Sequence, residues 1–134
     1  IKMVHPDSTV KDAVQIMQEL NCGAVPVVNE SNEVVGMITD RDIALNTVLK
    51  NKNPEQTKVS EFMSKPVITC NAEDDVDIAI EKMKNNKIRR IPILDENNRI
   101  IGIVSLGDIA VFSGEEHETF EALENISSPV STAK

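Results

Sequence analysis

Apolar residues at Val10, Ala13, Val14, Met17 and Leu20 recur at the three-and-four spacing of one helix face, and Val76, Ala79, Ile80 and Met83 do the same. Capping and acidic residues, Asp7-Ser8-Thr9 and Glu73-Asp74-Asp75, precede each run and suit the open N–H groups of a first turn. A short apolar run follows each helix, at 24–28 and 91–94, and reads as a strand. Each contains a proline, which cannot donate to a ladder and so predicts an edge or irregular position. Polar turns at 29–33 and 95–99 lead to second strands at 34–39 and 100–105. Second helices are predicted at 40–49 and 106–112. The strands are nearly continuous apolar runs, which suits sheets covered on both faces.

These two series are one pattern written twice. Sliding the chain 66 positions along itself lays 1–45 on 67–111 without a gap. Val10 then meets Val76, Ala13 meets Ala79, Met17 meets Met83, Pro26 meets Pro92, Asn32 meets Asn98 and Gly36 meets Gly102. Asp42-Ile43-Ala44 meets Asp108-Ile109-Ala110. The natural packing of two such copies is a pseudo-two-fold pair. The organisation expected is a first repeat with its linker at 1–58, a second repeat at 59–114, and an acidic helix and tail at 115–134. Residues 50–58 read as a polar linker, and 59–63 as a short helical lead-in to the second copy. The chain opens on Ile1 rather than Met, so a further segment is expected before it.

With 134 residues, 40% of them hydrophobic, the chain has enough apolar surface for a core. No run approaches the roughly 18 apolar residues of a membrane helix, and no signal-peptide pattern opens the sequence. The net charge of −8 and the absence of Trp and Tyr argue against nucleic-acid binding. Lys82, Lys84, Lys87, Arg89 and Arg90 form the one basic cluster. Cys22 and Cys70 have no CxxC context and read as small buried hydrophobes of a reducing, cytoplasmic compartment. His5 and His117 lack partners at metal spacing, so no metal site is expected. Residues 95–98 lack the glycine and terminal Glu of a calcium loop. Ser105 lacks a nucleophile elbow, and no enzyme activity is expected.

The chemistry concentrates where each second strand meets its helix: Gly36-Met37-Ile38-Thr39-Asp40-Arg41-Asp42 and Gly102-Ile103-Val104-Ser105-Leu106-Gly107-Asp108. A hydroxyl at a helix start adjoins open N–H groups that favour an anion such as phosphate. An Asp three residues on can accept two hydrogen bonds from a vicinal diol such as ribose. The same residues also fit plain capping boxes, and the spacing alone leaves both readings open.

The duplication, the apolar-Pro-apolar strands Val25-Pro26-Val27 and Ile91-Pro92-Ile93, and the two Gly-x-x-Thr/Ser-x-x-Asp junctions together resemble a tandem pair of CBS (cystathionine β-synthase) domains, a Bateman module. The resemblance covers 1–114. It implies an α/β (α+β) fold of two pseudo-symmetric β-α-β-β-α repeats with packed sheets. It also implies a regulatory sensor of adenosyl ligands (AMP, ADP, ATP, S-adenosylmethionine or NAD) that needs no cofactor and forms a disc-like homodimer. Asp42 and Asp108 would hold ribose, Thr39 and Ser105 would contact ribose or phosphate, and Arg41 lies within the motif. Arg89 and Arg90 would reach phosphates bound at the opposite copy's motif. Met3, Val4, Ile68, Thr69, Ala24, Val25, Pro26, Ile91 and Pro92 would line the base, with guanine nucleotides binding less well. The first copy has Gly23-Ala24 where the second has Arg89-Arg90, so the Thr39/Asp42 site is expected to fill first with a phosphorylated ligand. The sensor would pass its state to an effector protein; the other readings are a ligand-free structural dimerisation module, or a regulatory fragment of a larger enzyme or transporter.

Overall fold

The computed structural model describes residues 2–65 and 67–113. The expected acidic helix and tail, with His117, lie outside the described residues. By contact the chain divides into two units. One runs to Val67 and takes in Asn98–Ile100; the other comprises Ile68–Asn97 and the described chain from Ile101.

In the first unit, helix α1 (Val10–Leu20) begins at Thr9, whose side chain accepts from the Asp12 N–H while Asp12 answers the Thr9 N–H, a reciprocal cap. It ends at Asn21 in the left-handed region, φ 52°. Strand β1 (Ala24–Val28) pairs antiparallel with β2 (Val34–Thr39), Val25 opposite Ile38 and Pro26 opposite Met37. On its other side β1 meets Val4, whose N–H donates to the Pro26 carbonyl at 3.1 Å while its own carbonyl accepts from Val28 at 2.9 Å. That parallel bridge uses the Pro26 carbonyl and the Val28 N–H. The hydrogen that proline lacks is therefore never called on, and Pro26 sits inside a bonded strand rather than at a free edge. Val10, Ala13, Met17, Val25, Val27 and Ile38 pack with Val59 into one core.

The second unit repeats the plan. Strand β3 (Cys70–Asn71) pairs parallel with β4 (Arg90–Leu94), which is flanked by β5 (Ile100–Ser105). Helix α3 (Val76–Asn86) ends at Lys87, φ 55°, the counterpart of Asn21. Its Ala79, Ile80 and Met83 pack with Cys70, Ile91, Leu106 and Ile109. The fold is the expected mixed α/β duplication.

Two local expectations are corrected. The helix expected at 40–49 is α-helical only over α2 (Asp40–Ile43), and Ala44–Val48 widens into a π-helical turn. There the Asn46 side chain donates to the Asp42 carbonyl at 2.7 Å and the Thr47 hydroxyl to the Ile43 carbonyl at 2.6 Å. These side chains compete for the carbonyls that α-helical N–H groups would use. The stretch 59–63 holds a 3₁₀ turn, Val59–Glu61, and packs on the first unit: Val59 is fully buried, and its N–H bonds the Ser8 carbonyl at 2.8 Å. The preceding linker is tied there too, with Val10 donating to Thr57 at 2.8 Å and Lys11 paired with Glu55 at 2.7 Å.

Candidate functional site

Both motifs form where a strand ends and its helix begins, and both close as capping boxes. Thr39 Oγ1 accepts from the Asp42 N–H at 3.1 Å, and Asp42 Oδ2 accepts from the Thr39 N–H at 3.4 Å. In the second unit the same pair of bonds, Asp108 N–H to Ser105 Oγ and Ser105 N–H to Asp108 Oδ2, measures 3.1 and 3.0 Å. Helix α4 (Leu106–Ser113) starts there. The capping alternative is therefore realised in both copies, through one oxygen of each carboxylate. Among the described residues nothing donates to the second oxygen, Oδ1, of either Asp. Capping and ligand binding are compatible at these sites, because a carboxylate has lone pairs for both.

A further bond fixes each box to the strand beside it. The first helical N–H donates to the residue just before the proline strand: Asp40 to the Gly23 carbonyl at 2.9 Å, Leu106 to the Arg89 carbonyl at 3.1 Å. The Gly23-Ala24 and Arg89-Arg90 pairs thus stand, through backbone, next to the motif of their own unit. At Gly23 an added Cβ would lie 2.8 Å from an Asp40 carboxylate oxygen, a contact the exposed Asp40 side chain can relieve by turning away. At Gly36 the close neighbour is Met63, whose Sδ would lie 2.6 Å from an added Cβ. At Gly102 nothing comes within 4 Å.

The remaining candidates separate by burial. Val25 and Ile91 are core residues, Ala24 is buried, and Pro26 and Pro92 are fully buried. Met3, Ile68, Thr69, Arg89 and Arg90 are half-buried, and Arg41 and Asp108 are exposed. Val4 is buried in the first core. His5 is exposed, its Nδ1 3.0 Å from the Val28 carbonyl. No group of His, Cys, Asp and Glu among the described residues is arranged for a metal. Both cysteines are free thiols, and burial pushes the Cys70 thiol above its ordinary range, with Lys82 pulling it back. Sequence reading passed over one polar contact, Lys82 Nζ to the Thr69 carbonyl at 2.7 Å. Its signal lay in the self-comparison, where Lys82 falls on Ile16.

Two copies of one α/β unit, each with a hydroxyl–Asp box at a strand-to-helix junction, define a duplicated α/β-domain architecture. The chain belongs to the CBS domain family, whose model matches residues 1–46 and again 59–115. It is 42% identical over 127 residues to the CBS domain-containing protein YhcV of Bacillus subtilis, covering 95% of this chain and 89% of that one. Of two archaeal relatives it spans only 53% and 20% of the length. Among solved structures, a conserved CBS domain protein of unknown function from Thermoplasma acidophilum, TA0289, superposes with a TM-score of 0.79 at 26% identity, over 93% of this chain and 70% of that one. The CBS domain pair of protein MJ0100, solved in complex with 5-methylthioadenosine and S-adenosyl-L-methionine, gives 0.72 at 31% identity, over 81% and 87%. No helix among the described residues is long and apolar enough to cross a membrane.

Proposed function

We propose that this CBS pair is a non-catalytic sensor that binds adenosyl nucleotides of the AMP, ADP and ATP class and passes its occupancy to an effector protein, acting in the cytoplasm as a homodimer. The observation that supports this most is the repeated box: Asp42 and Asp108 each keep one carboxylate oxygen beside a helix start, a ready acceptor for ribose hydroxyls. Ligands bound to the MJ0100 pair carry the same adenosyl group, which favours that class.

Thr39 and Ser105 lie at helix N-termini, where the dipole favours phosphate. Arg89 and Arg90 add a guanidinium pair that the first copy lacks, so phosphorylated ligands bind the two motifs unequally. With no Trp or Tyr in the chain, the base is recognised through backbone edges at Met3 and Thr69 rather than by aromatic stacking. Thermal-shift and calorimetric titration with AMP, ADP, ATP, S-adenosylmethionine and NAD tests the reading. Stabilisation by at least one of them at sub-millimolar concentration is expected. No shift with any of them at millimolar concentration overturns it in favour of a ligand-free dimerisation module.

A further inference from the structure

Extended backbone sends successive peptide groups to opposite sides. In the first unit Val4 directs both its N–H and its carbonyl at β1, so those of Met3 and His5 face the outer edge. His5 is closed off by Ser8, whose Oγ accepts from the His5 N–H at 3.0 Å and whose N–H donates to the His5 carbonyl at 2.9 Å. Among the described residues the Met3 N–H and carbonyl have no partner. A donor beside an acceptor complements adenine, which presents a ring-nitrogen acceptor beside an amino donor.

The second unit repeats this edge with one change. Ala72 donates to the Leu94 carbonyl at 2.8 Å, so Cys70 and Ala72 face β4 while Thr69 and Asn71 face outward. Asp74 closes off Asn71 as Ser8 does His5, both bonds 2.9 Å. The Thr69 carbonyl, however, is taken by the Lys82 ammonium at 2.7 Å. Ile16, the residue in register with Lys82, packs on the first core and donates nothing. An ammonium has three protons, so two remain after Thr69 is served. The Thr69 carbonyl keeps one lone pair, so the second edge is donor-rich where the first is balanced: the Thr69 N–H and two remaining Lys82 protons stand beside a half-used acceptor.

We propose that Lys82 sets the base preference of the second unit: the Met3 edge takes an amino-purine, whereas the Thr69–Lys82 edge takes a 6-oxopurine, whose N7 and O6 both accept. The inference rests on the sensor reading above and departs from adenine at both units. An amino-purine on the second edge sets its amine against an ammonium, and a site whose polar groups are left mismatched discriminates strongly.

AMP and IMP differ only at position 6 and make the test. Each is titrated into the full chain while the Met3 and Thr69 amide resonances are followed separately by NMR. The Thr69 site should prefer IMP by at least about tenfold, and the Met3 site AMP. Lys82→Ile, which installs the first copy's residue, should free the Thr69 carbonyl and invert the Thr69 preference without altering that at Met3. Lys82→Met, which keeps an unbranched chain, gives the same readout should the isoleucine variant fold poorly. An AMP:IMP ratio at Thr69 that does not move in either variant, or a parent Thr69 site that prefers AMP, overturns the role of Lys82 and leaves the sensor reading standing. Failure of both nucleotides to shift either amide overturns the base assignment at both edges, and the sensor reading falls with it only if the wider adenosyl panel also gives no thermal shift.

Discussion

Asp42→Asn separates the two jobs of the first box. The cap resides mainly in Thr39 Oγ1 and the Asp42 backbone N–H, 3.1 Å apart, a bond the substitution keeps. The carboxylate's own contribution, Oδ2 to the Thr39 N–H at 3.4 Å, is long for a hydrogen bond, and an asparagine oxygen can replace it. What the fold loses is a first-turn negative charge, about 0.3–1 kcal/mol. What a diol loses is larger: with the asparagine oxygen kept on the cap, a neutral NH2 faces the ribose where a charged acceptor stood, a cost of about 1–3 kcal/mol. That corresponds to roughly 5- to 150-fold in Kd. Calorimetric titration with the best ligand of the adenosyl panel gives the first number, and urea denaturation of the same variant gives the second. An unchanged Kd, whatever happens to stability, would refute the ribose role and leave Asp42 a capping residue.

Asp108→Asn should cost more stability than Asp42→Asn by the same urea measurement, because its Oδ2 lies 3.0 Å from the Ser105 N–H. Gly36→Ala should destabilise by about 1–3 kcal/mol through collision with Met63, and less in a Met63→Ala background, as a double-mutant denaturation cycle would report. Met83→Ala empties a fully buried position and should cost about 2–5 kcal/mol, whereas Val48→Ala, at a residue 75% exposed, should stay within about 0.5 kcal/mol. Burial raises the Cys70 thiol, so the unfolded chain ionises first; stability is full below the ordinary thiol pKa and falls as pH rises through the raised one. Denaturation midpoints against alkaline pH should therefore decline less in Cys70→Ala than in the parent.

The strands at 34–39 and 100–105 were legible to the residue because their alternation of apolar side chains and glycine ends on a hydroxyl that is also a helix cap. The boxes were legible for the same reason: the chemistry and the capping use the same two side chains. The π-turn was not, because the hydrophobic spacing of Ile43, Leu45 and Val48 is silent about what Asn46 and Thr47 do with the carbonyls four residues back. Nor was the place of Val59, whose apolar side chain fits either core until Ser8 and Thr57 show which backbone it joins. Lys82 read as one member of a basic cluster; only its reach to Thr69 gives it a separate meaning.

Val59 also decides whether the duplicated halves could ever live apart. The family match restarts at residue 59, and a gene cut there would look clean on paper. Yet such a cut would strip the first half of Val59, Phe62 and Met63, all packed on its core, and of the partner for the Ser8 carbonyl. The second half would begin with an apolar segment whose native neighbours had gone. A break after Val67 keeps Val59, Phe62 and Met63 with their core, although Asn98–Ile100, which also belong to the first unit, then fall on the other piece.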